Sequence, residues 1–188
     1  MGVGAWGYGR AMRQRLRRYA YVGPPEILAA VRLGRGGEPI CSPEDLAAWL
    51  GGRGPEELAE PFTFVVGLDG YLRLGPRRSE HVACAGGAAV LGAGEISFSR
   101  ENGCWAVSGV SNHSTGYCPD PDSWPSVGEA LDRAAVEHPG EFTGPVVFRR
   151  CPRCHERNLV KDDDFACAIC GAELPRTWNL EAVPQHGE

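Results

Sequence analysis

The sequence predicts an α+β protein: short N-terminal helices, an antiparallel β-meander with one C-terminal helix, and a metal-bound hairpin after it. Three observations carry that expectation. Short segments opened by proline and closed by glycine fill residues 21–61. Strand formers broken by Asp-Gly and Asn-Gly turns fill residues 62–110. Two Cys-x2-Cys pairs, twelve residues apart, stand at 151–170.

Each element has a local cause. Residues 10–20, rich in Arg, read as a short basic helix. Residues 24–33 start at Pro24 and space Ile27, Leu28 and Val31 helically, which predicts a second. Ser42-Pro43-Glu44-Asp45 supplies a capping hydroxyl, a proline at the first helical position and acids in the first turn. A helix is therefore expected over 43–50, stopped by Gly51-Gly52. Residues 55–60 repeat the pattern in miniature. From Phe62 the period becomes that of strands: 62–66, a turn at Leu68-Asp69-Gly70, then 71–74 pairing back. Segments 81–85 and 88–91 flank Gly86-Gly87 and continue the meander. Residues 95–99 alternate, and Asn102-Gly103 turns the chain into a strand over 104–110. A polar loop, 111–122, leads to a helix over 125–137 with Val127, Ala130, Leu131 and Ala134 on one face. A last strand over 145–148 runs into the first Cys pair.

Composition narrows the function classes. The 188 residues are 43% hydrophobic, 23% charged and 9% aromatic, a globular balance that excludes wholesale disorder. The apolar runs at 62–68 and 82–94 fall short of the roughly 18–20 residues that span a bilayer, so no membrane role is expected. No secretory signal is legible. Net charge is −5, but the five Arg of residues 1–20 meet no acid there. That segment reads as a basic N-terminal arm, followed by a main domain (21–148), a ribbon (149–176) and a tail (177–188). The arm either contacts phosphate or docks on the acidic body of its own chain. All but one of the 19 basic residues are Arg, which suggests GC-rich coding and a bacterial source.

Eight cysteines with no export signal indicate a reducing cytoplasm. A Cys-x2-Cys turn sets two thiolates on one side of a tight knuckle, and four thiolates satisfy a tetrahedral metal with no open position. The expected ligands are Cys151, Cys154, Cys167 and Cys170. Gly171 suits the tight turn after the second pair. Residues 157–160 and 164–166 are expected to pair around Lys161-Asp162-Asp163, with Leu159, Val160 and Phe165 over the metal. These residues resemble the zinc-ribbon (rubredoxin-like) family. The resemblance implies structural Zn2+, with iron as the rarer occupant and a redox Cys-x-x-Cys centre as the alternative. Leu174, Pro175 and Trp178 either pack the ribbon back on the main domain or form an apolar docking surface.

The loop 111–119 gathers Asn112, His113, Ser114, Thr115, Tyr117 and Cys118 between a strand and a helix, where functional residues concentrate. With His81 and the glycines after it, the run Ser114-x-x-Tyr117-x-Pro119 resembles a domain of bacterial toxin-like proteins and plant IQ-motif proteins. In that domain the run is Ser-Gly-His-Tyr-x-Pro, and here Thr115 and Gly116 replace its Gly and His. Three readings stand side by side. Cys118 or Cys84 is a nucleophile with His81 or His113 as base and Asn112 as orienter. Alternatively, His81 and Cys84 bind a second metal with Cys104, His113 or Cys118. The third makes these residues structural, or the lining of a non-covalent pocket formed by Asn112, His113, Ser114, Thr115 and Tyr117.

The expectation that follows is a cytoplasmic binding or adaptor protein with structural Zn2+. It recognises a protein or small-molecule ligand through the 111–119 loop or the ribbon. The alternatives are an enzyme with a cleft of His81, Asn112 and Cys118, and nucleic-acid binding through the basic arm plus ribbon.

Overall fold

The computed structural model describes residues 16–181, and the fold is α+β. Five antiparallel strands form the main sheet: β1 (Pro39–Ile40), β2 (Phe62–Gly67), β3 (Leu72–Gly75), β4 (Val90–Glu101) and β5 (Cys104–Val110). Their spatial order is β1-β3-β2-β4-β5. Around them lie α1 (Pro25–Ala30), α2 (Pro43–Gly51), α3 (Pro55–Leu58), α4 (His81–Cys84) and α5 (Trp124–Arg133). A separate pair, β6 (Val147–Arg150) and β7 (Arg157–Val160), carries the ribbon.

The central strand explains the layering. Side chains alternate across a strand, and β2 is buried on both faces. Phe62, Phe64 and Val66 enter a core with Leu46 and Leu50 of α2 and with Val127, Ala130 and Leu131 of α5. Val65 points the other way, into a second core with Tyr19, Val82, Val90, Ala93 and Tyr117. The local signals behave as chemistry requires. Ser42 caps α2, its hydroxyl accepting from Asp45 N at 3.2 Å. Asn102 and Gly103 both take positive φ, 50° and 86°, which the tight β4–β5 hairpin needs.

Several expectations are corrected. Residues 16–20 are not helical; Tyr19 forms an antiparallel bridge to Val90 instead. Residues 10–15 of that expected helix lie outside the described residues. The first helix is limited to Pro25–Ala30, because the N–H of Val31 already turns back to Leu28 O. Residues 81–84 form a helical turn, not a strand. Gly86 and Gly87, at φ 61° and 81°, reverse the chain so that only β4 joins the sheet. Gly92, Ala93 and Gly94 fuse the expected 88–91 and 95–99 segments into one twelve-residue strand. The last helix ends at Arg133, where Ala135 adopts φ 47°. Beyond it the chain makes a parallel bridge from Glu137 to Ala106.

The ribbon is also wired differently from expectation. Strand β7 pairs with β6, which precedes the first Cys pair, with Val147 opposite Val160 and Arg150 opposite Arg157. The return segment 164–166 makes only single bridges, Lys161 to Asp164 and Ala166 to Glu173. The reason is the first knuckle: it reverses the chain between Arg150 and Arg157, so the hairpin closes across it.

Arg149 joins the ribbon to the body. Its side chain is 7% exposed and pairs with Asp120 at 3.2 Å. It also donates to Phe148 O, Pro175 O and Arg176 O at 2.7, 3.1 and 2.8 Å. One planar guanidinium thus ties the 111–120 loop, strand β6 and the chain leaving the ribbon. Asn179 adds a reciprocal pair with the Arg150 backbone, at 2.8 and 2.7 Å. Trp178 donates to Cys118 O at 2.8 Å and meets Tyr19 edge-on. The packing-back reading of Trp178 is therefore the observed one. Removing one member of a buried pair strands the other charge. Arg149→Ala is expected to cost about 3–5 kcal/mol, read as a lower denaturation midpoint of the metal-loaded chain with an unchanged denaturant slope.

Candidate metal centre

The two knuckles have matching geometry. In the first, Cys151 N donates to Glu156 O at 2.9 Å and His155 N to Cys151 O at 3.0 Å. In the second, Cys167 N donates to Ala172 O and Gly171 N to Cys167 O, both at 2.8 Å. His155 and Gly171, each directly after its pair, both take left-handed φ, 61° and 69°. The second knuckle uses glycine for this position, and the first forces a histidine into it.

This turn places four sulfurs together. Cys151, Cys154, Cys167 and Cys170 lie with all donor atoms within 4.8 Å of one another. Cys151 Sγ to Cys170 Sγ and Cys154 Sγ to Cys167 Sγ are both 3.6 Å. A tetrahedron with metal–sulfur bonds of about 2.3 Å has edges of about 3.8 Å, so the four thiols match a tetrahedral ion. Arg153 N and Cys154 N point at Cys151 Sγ, at 3.4 and 3.5 Å. Among the described residues this is the one group of three or more Cys, His, Asp or Glu donors close enough to share an ion.

The electrostatics ask for a cation. The Cys154 amide donating to Cys151 Sγ holds that thiol below its usual value. Burial opposes ionisation of Cys167, yet the amides of Cys170 and Ile169 and the facing thiols bring it down to about 6. Against the lowering effect of the Glu156 amide, burial and the neighbouring thiols push Cys154 up to about 12. Four sulfurs this close cannot all ionise unless a positive ion sits among them.

The adjoining loop is built from inward anchors. Asn112 is fully buried and saturated: Nδ2 donates to Pro119 O and Val146 O at 2.8 Å, and Oδ1 accepts from Val146 N at 2.7 Å. Tyr117 donates its hydroxyl to Ala88 O at 2.6 Å, and burial raises its pKa. Ser114 is buried as well. Cys118 Sγ donates to Thr115 O at 3.3 Å, and burial pushes that thiol up. His113 and Thr115 are the exposed members. Both touch the ribbon: His113 stacks near Phe148 at 6.2 Å, and Arg157 donates to Thr115 O at 2.6 Å.

His81 sits on α4 with Nε2 against Gly94 O at 3.0 Å. His81, Asn112 and Cys118 thus each bond to a different backbone group, and no hydrogen bond joins them among the described residues. Cys84 packs in the second core, Cys118 in the cluster with Phe148 and Leu180, and Cys104 is exposed. Sequence reasoning missed the buried anchoring role of Arg149, the Asn179 pair and the equivalence of His155 with Gly171. Only the last had a signal, the repeated Cys-x2-Cys-x spacing.

Set against protein-family models, curated proteins and solved structures, the chain matches none of them.

Burial lowers the His81 pKa below its usual value, although the Gly94 carbonyl works the other way. The folded protein holds this imidazole neutral, while the unfolded chain takes up a proton at about pH 6.5. The His81 contribution is complete above that pH and is lost as pH falls from there toward the lower folded value. Urea unfolding at stepped pH is expected to show this slope, and His81→Gln is expected to reduce it.

Proposed function

We propose that this chain is a cytosolic binding protein built around one structural Zn2+. In this reading the 111–119 loop and the ribbon together recognise a protein or small ligand. An all-thiolate, tetrahedral donor set favours zinc over the hard cations. Four protein ligands fill the coordination shell and leave no place for a reactive water, which supports a structural role. Free thiols throughout the chain, two of them exposed, suit a reducing compartment. No helix among the described residues is long and apolar enough to cross a membrane.

The observation that carries the recognition reading is the shared face of loop and ribbon. His113 and Thr115 are exposed where they meet Phe148 and Arg157, and Leu159, opposite Phe148 in register, is 37% exposed on the same face. Ile169, at the tip of the second knuckle, gives its amide to the Cys167 sulfur and leaves its residue 72% exposed. Asn112 and Tyr117 serve this face by holding the loop's shape from inside through their side-chain hydrogen bonds, and Ser114 through its carbonyl, which accepts from Cys118 N. A nucleic-acid role of the ribbon would draw on its arginines, and of these Arg149 is buried with its guanidinium on Asp120.

The test is cross-linking of the metal-loaded chain in an extract of its source cells. Wild type is expected to capture a saturable partner. Ile169→Glu and His113→Ala are expected to lose it while keeping one zinc per chain. Equal capture by all three proteins would contradict the proposed face.

A further inference from the structure

Strand pairing in the ribbon sets two like charges against each other. Arg150 and Arg157 are directly opposite in the β6–β7 register. Residues so placed have Cβ atoms about 5 Å apart, and like charges there are destabilising. Burial raises the Cys118 thiol, and the Arg157 and Arg150 charges both oppose that, so the two guanidiniums converge beside one sulfur. Neither has a carboxylate partner among the described residues, whereas Arg53, Arg73, Arg77, Arg133 and Arg149 all do. Arg157 is exposed and Arg150 half-buried. A guanidinium carries five N–H donors. Arg157 commits one to Thr115 O, which anchors the side chain against the loop. Its remaining donors face outward, and Arg150 adds a second charge behind them.

The surroundings select the anion. Leu159 lies two residues from Arg157 on the same face of the hairpin and is 37% exposed. Residues 149–176 carry six basic and five acidic side chains. The pair is therefore a local positive spot beside an aliphatic one, not the basic stripe that a polyanion needs. A carboxylate matches the flat fork of a guanidinium with two parallel hydrogen bonds. We infer that the loop–ribbon face recognises an acidic segment of a protein partner, its carboxylates on Arg157 and Arg150 and its aliphatic groups on Leu159. This deepens the proposed function and rests on it.

The experiment is an NMR titration of the full-length, metal-loaded chain. The probes are a capped Glu-Glu-Leu-Leu-Glu-Glu peptide, its counterpart with glutamine for glutamate, and single-stranded octathymidylate. The acidic peptide is expected to shift the amides of residues 113–118 and 157–159 saturably, and the glutamine peptide to shift none. Arg150→Gln and Arg157→Gln are each expected to weaken the acidic peptide about fivefold. Arg153→Gln removes the same charge from the knuckle and is expected to leave the affinity within about twofold. Four results would each overturn the inference. They are no saturable shift by the acidic peptide, equal binding of the glutamine peptide, tighter binding of octathymidylate, or unchanged affinity in both Arg150→Gln and Arg157→Gln. Extract capture that Ile169→Glu abolishes, without binding of the acidic peptide, overturns this inference and keeps the loop–ribbon face. Equal capture by Ile169→Glu and His113→Ala, with the peptide bound as expected, overturns the wider face while the Arg150–Arg157 site stands.

Discussion

Four sulfurs held within 4.8 Å of one another set the terms for the C-terminal fifth of this protein. Hydrogen bonds from backbone amides draw the thiols toward ionisation, while their mutual repulsion forbids all four from ionising together. A cation bound among them would resolve the conflict, and that closure would fix the ends of residues 151–170. The segment after it runs from the cluster to the body. Leu174 packs under the sulfurs, Pro175 and Arg176 present carbonyls to Arg149, and Trp178 and Leu180 reach the body.

The sheet reaches the ribbon through a short chain of contacts. Gly94 of β4 lies so close to Ser111 O and the Asn112 backbone that no side chain fits there. The loop after β5 is thereby laid across β4. Asn112 then clamps Pro119 and Val146, and Asp120 meets Arg149 at the ribbon's edge. Removing the Gly94 contact, the Asn112 amide or the Arg149 charge would each break a different link in this series. The exposed His113 and Thr115 sit between two of the links, so their positions are set by both sheet and ribbon.

What was legible in the sequence was local. Ser42, the Asn102-Gly103 turn and the apolar stripe of α5 act through neighbours in the chain, and their spacing reports them directly. The four-cysteine cluster was legible because a tetrahedral site imposes a spacing on its donors. The rest depends on residues far apart. His81–Cys84 has strand-like composition, but the left-handed Gly86-Gly87 pair behind it makes a helical turn the better solution. The β6–β7 pairing was hidden because a knuckle, not a turn dipeptide, closes it. Arg149 looked like one of many arginines; only the fold shows that it is buried against Asp120. Asn112 looked like a site residue and is placed as a saturated brace.

A metal ion at the four thiols would hold the ribbon and the segment after it against the body. Amide hydrogen exchange of the zinc-loaded chain, before and after chelation, tests it most directly. Metal removal is expected to abolish protection at residues 147–180 while β2 and β4 keep theirs, because metal binding and local folding are coupled. Unchanged protection at residues 147–180 after complete metal removal would show that the ion does not hold this segment.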